Sequence, residues 1–368
     1  MPVETMAPPA SRKRRSPRDP GRPRADRLNR HAGDQSRPTM TDVALEARVS
    51  QTTVSLVLNH AKGARLSAET RQRVLSAASR LGYRLVSRGP DLAARADATT
   101  IGFVVNEIST DPWMAMALDG ARERAWANGL TISLAVTRGD AEMEQAVLTS
   151  ILRQPLLGLI YGRIHTVRVE PRPFLFQKPT VLLNCYLGDR SLTSVVPAEV
   201  AGGRTGTERL IQGGHRRIGF INGEPWMEAS RDRLKGYRKA LAAAGIKYDA
   251  DLVRDGNWEP STGYQRTREL MELKHPPTAI FCANDLMAIG CYDALRELDL
   301  AIPGDVAVMG YDDRETARYM RPALTTVVLP HFEMGAKAVE ALIDLTSRPG
   351  SRPLHIKEKG PLVERNSV

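Results

Sequence analysis

The chain is poor in cysteine: Cys185, Cys282 and Cys291 are the whole complement of 368 residues, and each sits in an apolar run. So sparse and odd a set argues against a disulfide framework or a metal site. It fits small core residues in a reducing compartment. No run reaches the ~18 apolar residues that a bilayer-spanning helix needs, so no membrane partner is expected. The N-terminus is basic and carries arginine pairs, but no apolar stretch follows them, which argues against an export signal. Catalytic signatures are also lacking. There is no Ser/His/Asp set, no phosphate-cradling Gly-Lys loop and no His/Cys metal spacing. Asp312 and Asp313 are adjacent carboxylates, but neighbours just after a strand point apart and suit poorly the two sides of one glycosidic bond. Neither an enzyme nor a cofactor is expected.

Residues 1–37 almost lack large apolar side chains and are rich in Pro, Arg, Ser and Asp. They cannot bury enough surface to offset chain entropy, so a disordered basic extension is expected there. Net charge is missing from the rest of the molecule. Residues 99–368 hold 33 Lys/Arg and 33 Asp/Glu, whereas residues 1–98 hold 19 and 9. The whole excess therefore lies in the front quarter. This is the electrostatic footprint of a polyanion-binding end joined to a neutral module.

What is present begins with Met40 to Asn59, MTDVALEARVSQTTVSLVLN. Val43, Ala44 and Ala47 recur at helical spacing, predicting a helix from Thr41 to about Arg48 with Asp42 at its positive end. Val49 closes a turn, and Ser50 is a natural N-cap for a second helix. Val54, Val57 and Leu58 form that helix's inner face, leaving Gln51, Thr52, Ser55 and Leu56 on the other side. A helix-turn-helix offers this end to base edges in the major groove, where Gln pairs with adenine and an apolar side chain meets a thymine methyl. Ser67 to Thr70 is an imperfect capping box. It opens a third helix, Ala68 to Leu81, with Val74, Leu75, Ala78 and Leu81 on one face and Gly82 as its stop. Together, DVALEARVSQTTVSLVLN and RLSAETRQRVLSAASRLGYR resemble the DNA-binding headpiece of lactose-repressor/galactose-repressor (LacI/GalR) type bacterial regulators.

The resemblance implies a headpiece over 38–84 in which Ser50, Gln51, Thr52, Thr53, Ser55, Leu56, Asn59 and Arg65 contact DNA. It also implies a hinge over 85–98 whose Leu92 wedges into the minor groove. From Thr100, apolar runs alternate with helical stretches, the signature of βαβ units and parallel sheets. The runs are Ile101–Val105, Leu130–Val136, Leu156–Tyr161, Thr180–Leu183, Ile218–Ile221, Ala279–Cys282, Val306–Met309 and Thr326–Leu329. They are too many for one ordinary sheet, so two lobes are expected. Lobe 1 would be about 99–192 with 329–347, and lobe 2 about 193–328 with 348–368. The fold class is an all-α helix-turn-helix headpiece plus an α/β two-lobed core of the periplasmic-binding-protein kind. Ligands of such sheets sit beyond the C-terminal strand ends.

HRRIGFINGEPWMEASRDRLKGYRKALAAAGI, DGNWEPSTGYQ, AIFCANDLMAIGCYDALRELDLAIPGDVAVMGYDD and ALTTV resemble the sugar-binding core of the same regulators. By resemblance, Arg233 donates to ligand oxygens, Asp312 accepts from sugar hydroxyls, and Trp258 packs on a ligand ring. Trp113 with Met114 takes the matching place on lobe 1. Asn284, with donor and acceptor, is preferred over Asp285 as a ligand contact, one of the pair being a helix cap. Asn184 is a weaker polar candidate, and Asp313 reads as a cap or salt-bridge partner. Two departures from the family pattern stand out: Ala198-Glu199 before Gly202-Gly203, where an acidic-plus-amide pair is common, and Leu56, where a basic residue is common. The resulting expectation is a cytoplasmic, nucleoid-associated homodimer that binds double-stranded operator DNA and a sugar-type effector, most simply as a repressor of carbohydrate-utilisation genes. A corepressor-dependent regulator, a sugar-binding protein and a sugar-active enzyme are the alternatives.

Overall fold

The computed structural model describes residues 38–58, 66–83 and 99–368. The expected basic extension, the hinge with Leu92, and the loop residues Asn59 and Arg65 lie outside the described residues.

Three short helices make the headpiece: α1 (Met40–Ala47), α2 (Gln51–Leu58) and α3 (Ala68–Leu81). Helix α1 starts one residue earlier than its apolar pattern, because Thr39 and Asp42 cap each other reciprocally. Arg48 turns the chain in the left-handed region, with φ 53°. The Ser50 hydroxyl accepts from the Thr53 N–H at 3.2 Å, as a cap should. Gly82 ends α3 at φ 67°, a conformation that costs glycine little. Val43, Ala47, Val54, Val57, Val74 and Ala77 close a small core. Leu75, expected on the inner face of α3, is instead 40% exposed. Ala77 takes the inner place because the face is narrower than the apolar pattern suggests.

The core holds two sheets of six strands. The first contains β1 (Thr100–Val105), β2 (Thr131–Val136), β3 (Leu156–Val169), β4 (Thr180–Leu187), β5 (Thr193–Pro197) and β11 (His355–Glu358), in the order β11-β5-β4-β3-β1-β2. The second contains β6 (Ile218–Asn222), β7 (Val253–Asp255), β8 (Ala279–Cys282), β9 (Ala307–Asp312), β10 (Thr325–Val328) and β12 (Leu362–Val363), in the order β12-β10-β9-β8-β6-β7. Pairing is parallel except for β12, which runs antiparallel to β10. Seven helices cover the faces: α4 (Trp113–Ala127), α5 (Ala141–Leu152), α6 (Glu199–Gln212), α7 (Glu228–Ala243), α8 (Pro260–Met271), α9 (Asp285–Glu297) and α10 (His331–Ser347).

The expected lobe boundaries need correcting. Strand β5 pairs with β4, and β11 pairs with β5, so 193–197 and 348–358 belong with lobe 1. Both strands are short and flanked by polar residues, and they draw their stability from tertiary pairing that local pattern does not reveal. The chain passes between lobes after Pro197, after Val328 and after Glu358.

Two glycine contacts set the helices that carry the site. A Cβ on Gly335 of α10 would lie 1.8 Å from the Ala117 carbonyl of α4, and one on Gly120 would lie 1.9 Å from that of Phe332. In lobe 2 a Cβ on Gly203 of α6 would meet the Arg233 carbonyl at 2.3 Å, and one on Gly236 of α7 would meet that of Val200 at 2.4 Å. Both helix pairs therefore approach backbone to backbone. This brings the first residues of α4 and α10 together, and places Glu199 of α6 against Arg233 of α7.

Candidate DNA interface and effector cleft

The N-terminal half of α2 divides into two sets. Ser50 and Thr53 are buried and bond to each other at 3.0 Å. They build the turn, and in this conformation neither hydroxyl is offered outward as expected for a DNA contact. Thr52, Ser55 and Leu56 stay partly exposed. Gln51 is 3% exposed rather than outward-facing. Its amide donates to the Thr41 hydroxyl and, at 3.3 Å, to both Glu333 carboxylate oxygens of α10. Thr41 also bonds Glu333, Phe332 packs into the headpiece core, and Tyr83 donates to Glu123 of α4. The headpiece thus leans on lobe 1, where burial holds the Glu333 carboxyl above its usual range. Gln51 cannot bond a base and Glu333 together, so reading DNA with this residue requires the headpiece to leave lobe 1.

The C-terminal strand ends of both sheets face a cavity of about 290 Å³ between the lobes. From lobe 1 come Asp111, Trp113, His165, Thr166, Asn184 and His331; from lobe 2 come Glu199, Arg233, Trp258, Asn284, Asp312 and Arg314. Of the expected ligand residues, six line this cavity and Met114 does not. Met114 is fully buried in the core of lobe 1. Successive helical residues point about 100° apart, so with Trp113 facing the cleft its neighbour turns inward.

Arg233 is less free than expected. Its Nε and Nη2 donate to the two Glu199 carboxylate oxygens at 2.7 and 2.9 Å, and Nη1 donates to the Ala283 carbonyl. Its Cζ lies 3.7 Å from the Tyr311 ring centroid. The glutamate that departs from the family pattern is thus this arginine's bidentate partner, and Arg233 organises the wall rather than presenting an open fork. Asn184 is similarly committed. Its amide donates to the Arg163 and Ile164 carbonyls at 3.0 and 2.9 Å, and its carbonyl accepts from Thr166. Those bonds hold the irregularity in β3 between Gly162 and Val167, so this side chain is scaffold. Asn284 caps α9 through the Met287 N–H at 2.8 Å and donates to the Trp258 carbonyl at 2.9 Å. It is therefore itself the cap of the pair. Asp285 is buried between Thr326 and the Arg314 N–H, both at 2.7 Å. Asp313 pairs with Arg365 at 2.5 Å, the salt-bridge role expected of it.

Asp312 ends β9 at φ 116°, a strained backbone position of the kind that clusters at functional sites. Its carboxylate lies 3.7 Å from Arg233 and 3.5 Å from Arg314. Burial pushes this carboxyl up to about 7, with the two guanidiniums pulling the other way. Trp258 sits at φ 71° and donates from its indole to Met227, which fixes its ring at the cavity wall. Trp113 is 7% exposed and packs into the hydrophobic cluster of lobe 2. Two side-chain pairs bridge the gap. Arg314 Nη2 donates to both Asp111 oxygens at 2.9 and 3.1 Å, and Tyr186 of lobe 1 donates to Glu228 of lobe 2 at 2.7 Å.

Sequence reasoning missed Asp111, Arg314 and His331. The first two are signalled only weakly, as charges just beyond the anticipated Trp113 and Asp312. His331 carried no signal. It follows Pro330 at a lobe crossing and begins α10, with its ring 5.9 Å from Trp113. No group of His, Cys, Asp and Glu suited to a metal occurs among the described residues.

A three-helix DNA-reading unit joined to a two-lobed, cleft-bearing α/β core defines a ligand-responsive transcriptional regulator. Residues 39–84 match the model for bacterial regulatory proteins of the lacI family, and residues 207–368 match that for the periplasmic binding protein-like domain. The ribose operon repressor of Haemophilus influenzae is 31% identical over 90% of this chain and 98% of its own length. The HTH-type transcriptional repressor PurR of Escherichia coli is 31% identical over 90% and 96%. Among solved structures, the transcriptional regulator CelR–cellobiose complex aligns with a TM-score of 0.62 at 31% identity, covering 90% of this chain and all of that one. The lac repressor dimer bound to operator and the anti-inducer ONPF aligns at 0.62 and 27%, covering 90% and 99%. The chain belongs to the lacI family of bacterial regulatory proteins, and it is a sequence-specific DNA-binding transcriptional repressor rather than an enzyme.

Proposed function

We propose that the chain acts as a homodimer at the nucleoid, repressing carbohydrate-utilisation genes until a sugar enters the cleft and releases the operator. Thr52, Ser55, Leu56 and, once freed from Glu333, Gln51 read one half-site of a near-palindrome per protomer. Leu92 wedges the minor groove between half-sites, Arg65 meets phosphates, and Asn59 is a further DNA contact. The observation that carries the effector half of this reading is the Asp111–Arg314 pair beside Trp113. A group bound between those residues touches both lobes, so it has a differential affinity for their relative positions. Only such a differential shifts an equilibrium. By reciprocity, operator weakens the effector by the factor with which effector weakens operator. A sugar effector agrees with relatives that include a ribose operon repressor and a regulator solved with cellobiose.

The test uses the full-length chain and DNA that it selects from a random-sequence pool. Binding should be saturable and fall steeply with salt; for ~6 phosphates neutralised the log–log slope is about −5. Gln51→Ala should cost about 1–3 kcal/mol at one base position per half-site. If the variant loses affinity equally for every sequence, Gln51 positions the helix and does not read. Tightening of the complex by the sugar would favour a corepressor.

A further inference from the structure

The charges lining the cleft narrow the effector beyond the term sugar, and this narrowing rests on the reading just given. Carboxylates outnumber guanidiniums. Asp111, Glu199, Glu259 and Asp312 face the cavity, against Arg233 and Arg314. Neither arginine offers an unopposed charge, since Arg233 is bidentate with Glu199, and Arg314 shares one nitrogen between both Asp111 oxygens and lies 3.5 Å from Asp312. The two cleft histidines add nothing positive. Burial pushes the His331 ring down to about 3, and burial likewise lowers His165. An anionic ligand would therefore have to compete with a carboxylate for either cation, and displacing Glu199 from Arg233 would leave a buried carboxylate stranded. The cavity, at about 290 Å³, stands at the low end of the ~300–1,000 Å³ that small-molecule sites span. It has room for one ring flanked by Trp113 and Trp258.

One buried polar group in this cavity has no protein partner at all. His331 is 2% exposed and neither ring nitrogen is hydrogen-bonded. Buried polar atoms are nearly always paired, and a neutral imidazole has one donor and one acceptor to give. A hydroxyl can satisfy either; a carboxylate or phosphate can satisfy only the donor. We propose that the cleft takes a single neutral polyhydroxylated ring, of aldopentose or aldohexose size, and that His331 hydrogen-bonds its hydroxyls. Asp312 accepts from the ring on the opposite wall. Acids and phosphate esters are opposed by the charge of the lining, and disaccharides by the size of the cavity.

The experiment is a thermal-melt and tryptophan-fluorescence titration of the full chain. The neutral probes are D-ribose, D-xylose, D-glucose and D-galactose. The comparison probes are ribose 5-phosphate, glucose 6-phosphate, gluconate, cellobiose and hypoxanthine. At least one neutral monosaccharide should raise the melting temperature, with its phosphorylated or oxidised counterpart binding at least tenfold more weakly. A comparison probe that binds as tightly as every neutral one, or silence from all the neutral probes, overturns the proposal. Binding to selected DNA without any compound is measured on the same sample, so a failure of the repressor reading shows separately. His331→Leu keeps the bulk and removes two unpaired nitrogens. The ligand-free variant should melt at or above the parent temperature, and its affinity for the sugar should fall about tenfold. Undiminished sugar affinity would remove His331 from the site.

Discussion

The two walls of the cleft are built on opposite plans. The lobe 2 wall is a buried charged cluster: Glu199, Arg233 and Asp312 have side chains only 4–5% exposed, with Arg233 hydrogen-bonded to Glu199 and 3.7 Å from Asp312. The lobe 1 wall is underdetermined. Asp111 is 30% exposed and finds its partner across the gap, while His331 has none. The difference teaches a division of labour. On the proposed reading lobe 2 serves as a platform whose main ion pair is made without ligand, and lobe 1 as a jaw whose polar groups find partners across the cleft or in the ligand. Preorganised groups bind without paying for rearrangement, while groups that change partners on closure couple binding to shape.

The largest effect should follow from breaking the platform. Glu199→Ala strands a buried guanidinium and should cost about 3–5 kcal/mol of stability, read from urea unfolding. A loss below about 1 kcal/mol would erase the contrast between the walls. Next comes Asp312→Ala, which should weaken effector binding by about 1.5–3 kcal/mol while operator binding without effector is retained. A variant that melts much earlier yet releases operator at the parent's effector concentration would make Asp312 scaffold.

Proton linkage sharpens that point. The Asp312 carboxyl titrates at about 7 when folded and near ~3.9 in an unfolded chain. The folded state holds this proton more tightly, so the group's contribution to stability is greatest at low pH and fades as pH rises from about 4 through about 7. Ionised, it is a charged and therefore stronger acceptor for hydroxyls than the neutral acid, so effector affinity should drop severalfold from pH 8 to pH 6. Asp312→Asn should flatten both profiles, and an unchanged pH dependence in that variant would assign the titration elsewhere. The smallest effect belongs to the jaw. In a double-mutant cycle of Asp111→Asn and Arg314→Gln, read on effector affinity, the coupling should be about 0.5–1 kcal/mol, discounted because both side chains keep some solvent. A coupling as large as the Glu199 effect would make the jaw as fixed as the platform.

How far these features were legible in the sequence depends on the range of the interaction behind each. The headpiece helices follow from spacing within a dozen residues, and strand β8 appears residue for residue as the apolar run Ala279–Cys282. Strands β5, β7, β11 and β12 have two to five residues and exist only because a neighbour supplies the ladder, so no local pattern announces them. The cleft shows the same limit. Positions such as Arg233 and Asp312 are marked by family motifs, yet the state of Arg233 is set by Glu199, 34 residues away. Asn184 and Asn284 carry the right chemistry for a ligand but spend most of it on backbone. Gln51 has the right place on its helix, and its burial arises from contact with α10, 282 residues further on.

The central claim is that occupancy of the cleft and occupancy of the operator are one coupled equilibrium. The most direct measurement is the affinity of the full-length chain for its selected DNA, titrated with whichever neutral monosaccharide raises its melting temperature. The account predicts a saturable loss of DNA affinity of at least tenfold, its midpoint tracking the melting response and vanishing in Asp312→Ala. A sugar that stabilises the protein yet leaves DNA affinity unchanged at saturation would contradict it.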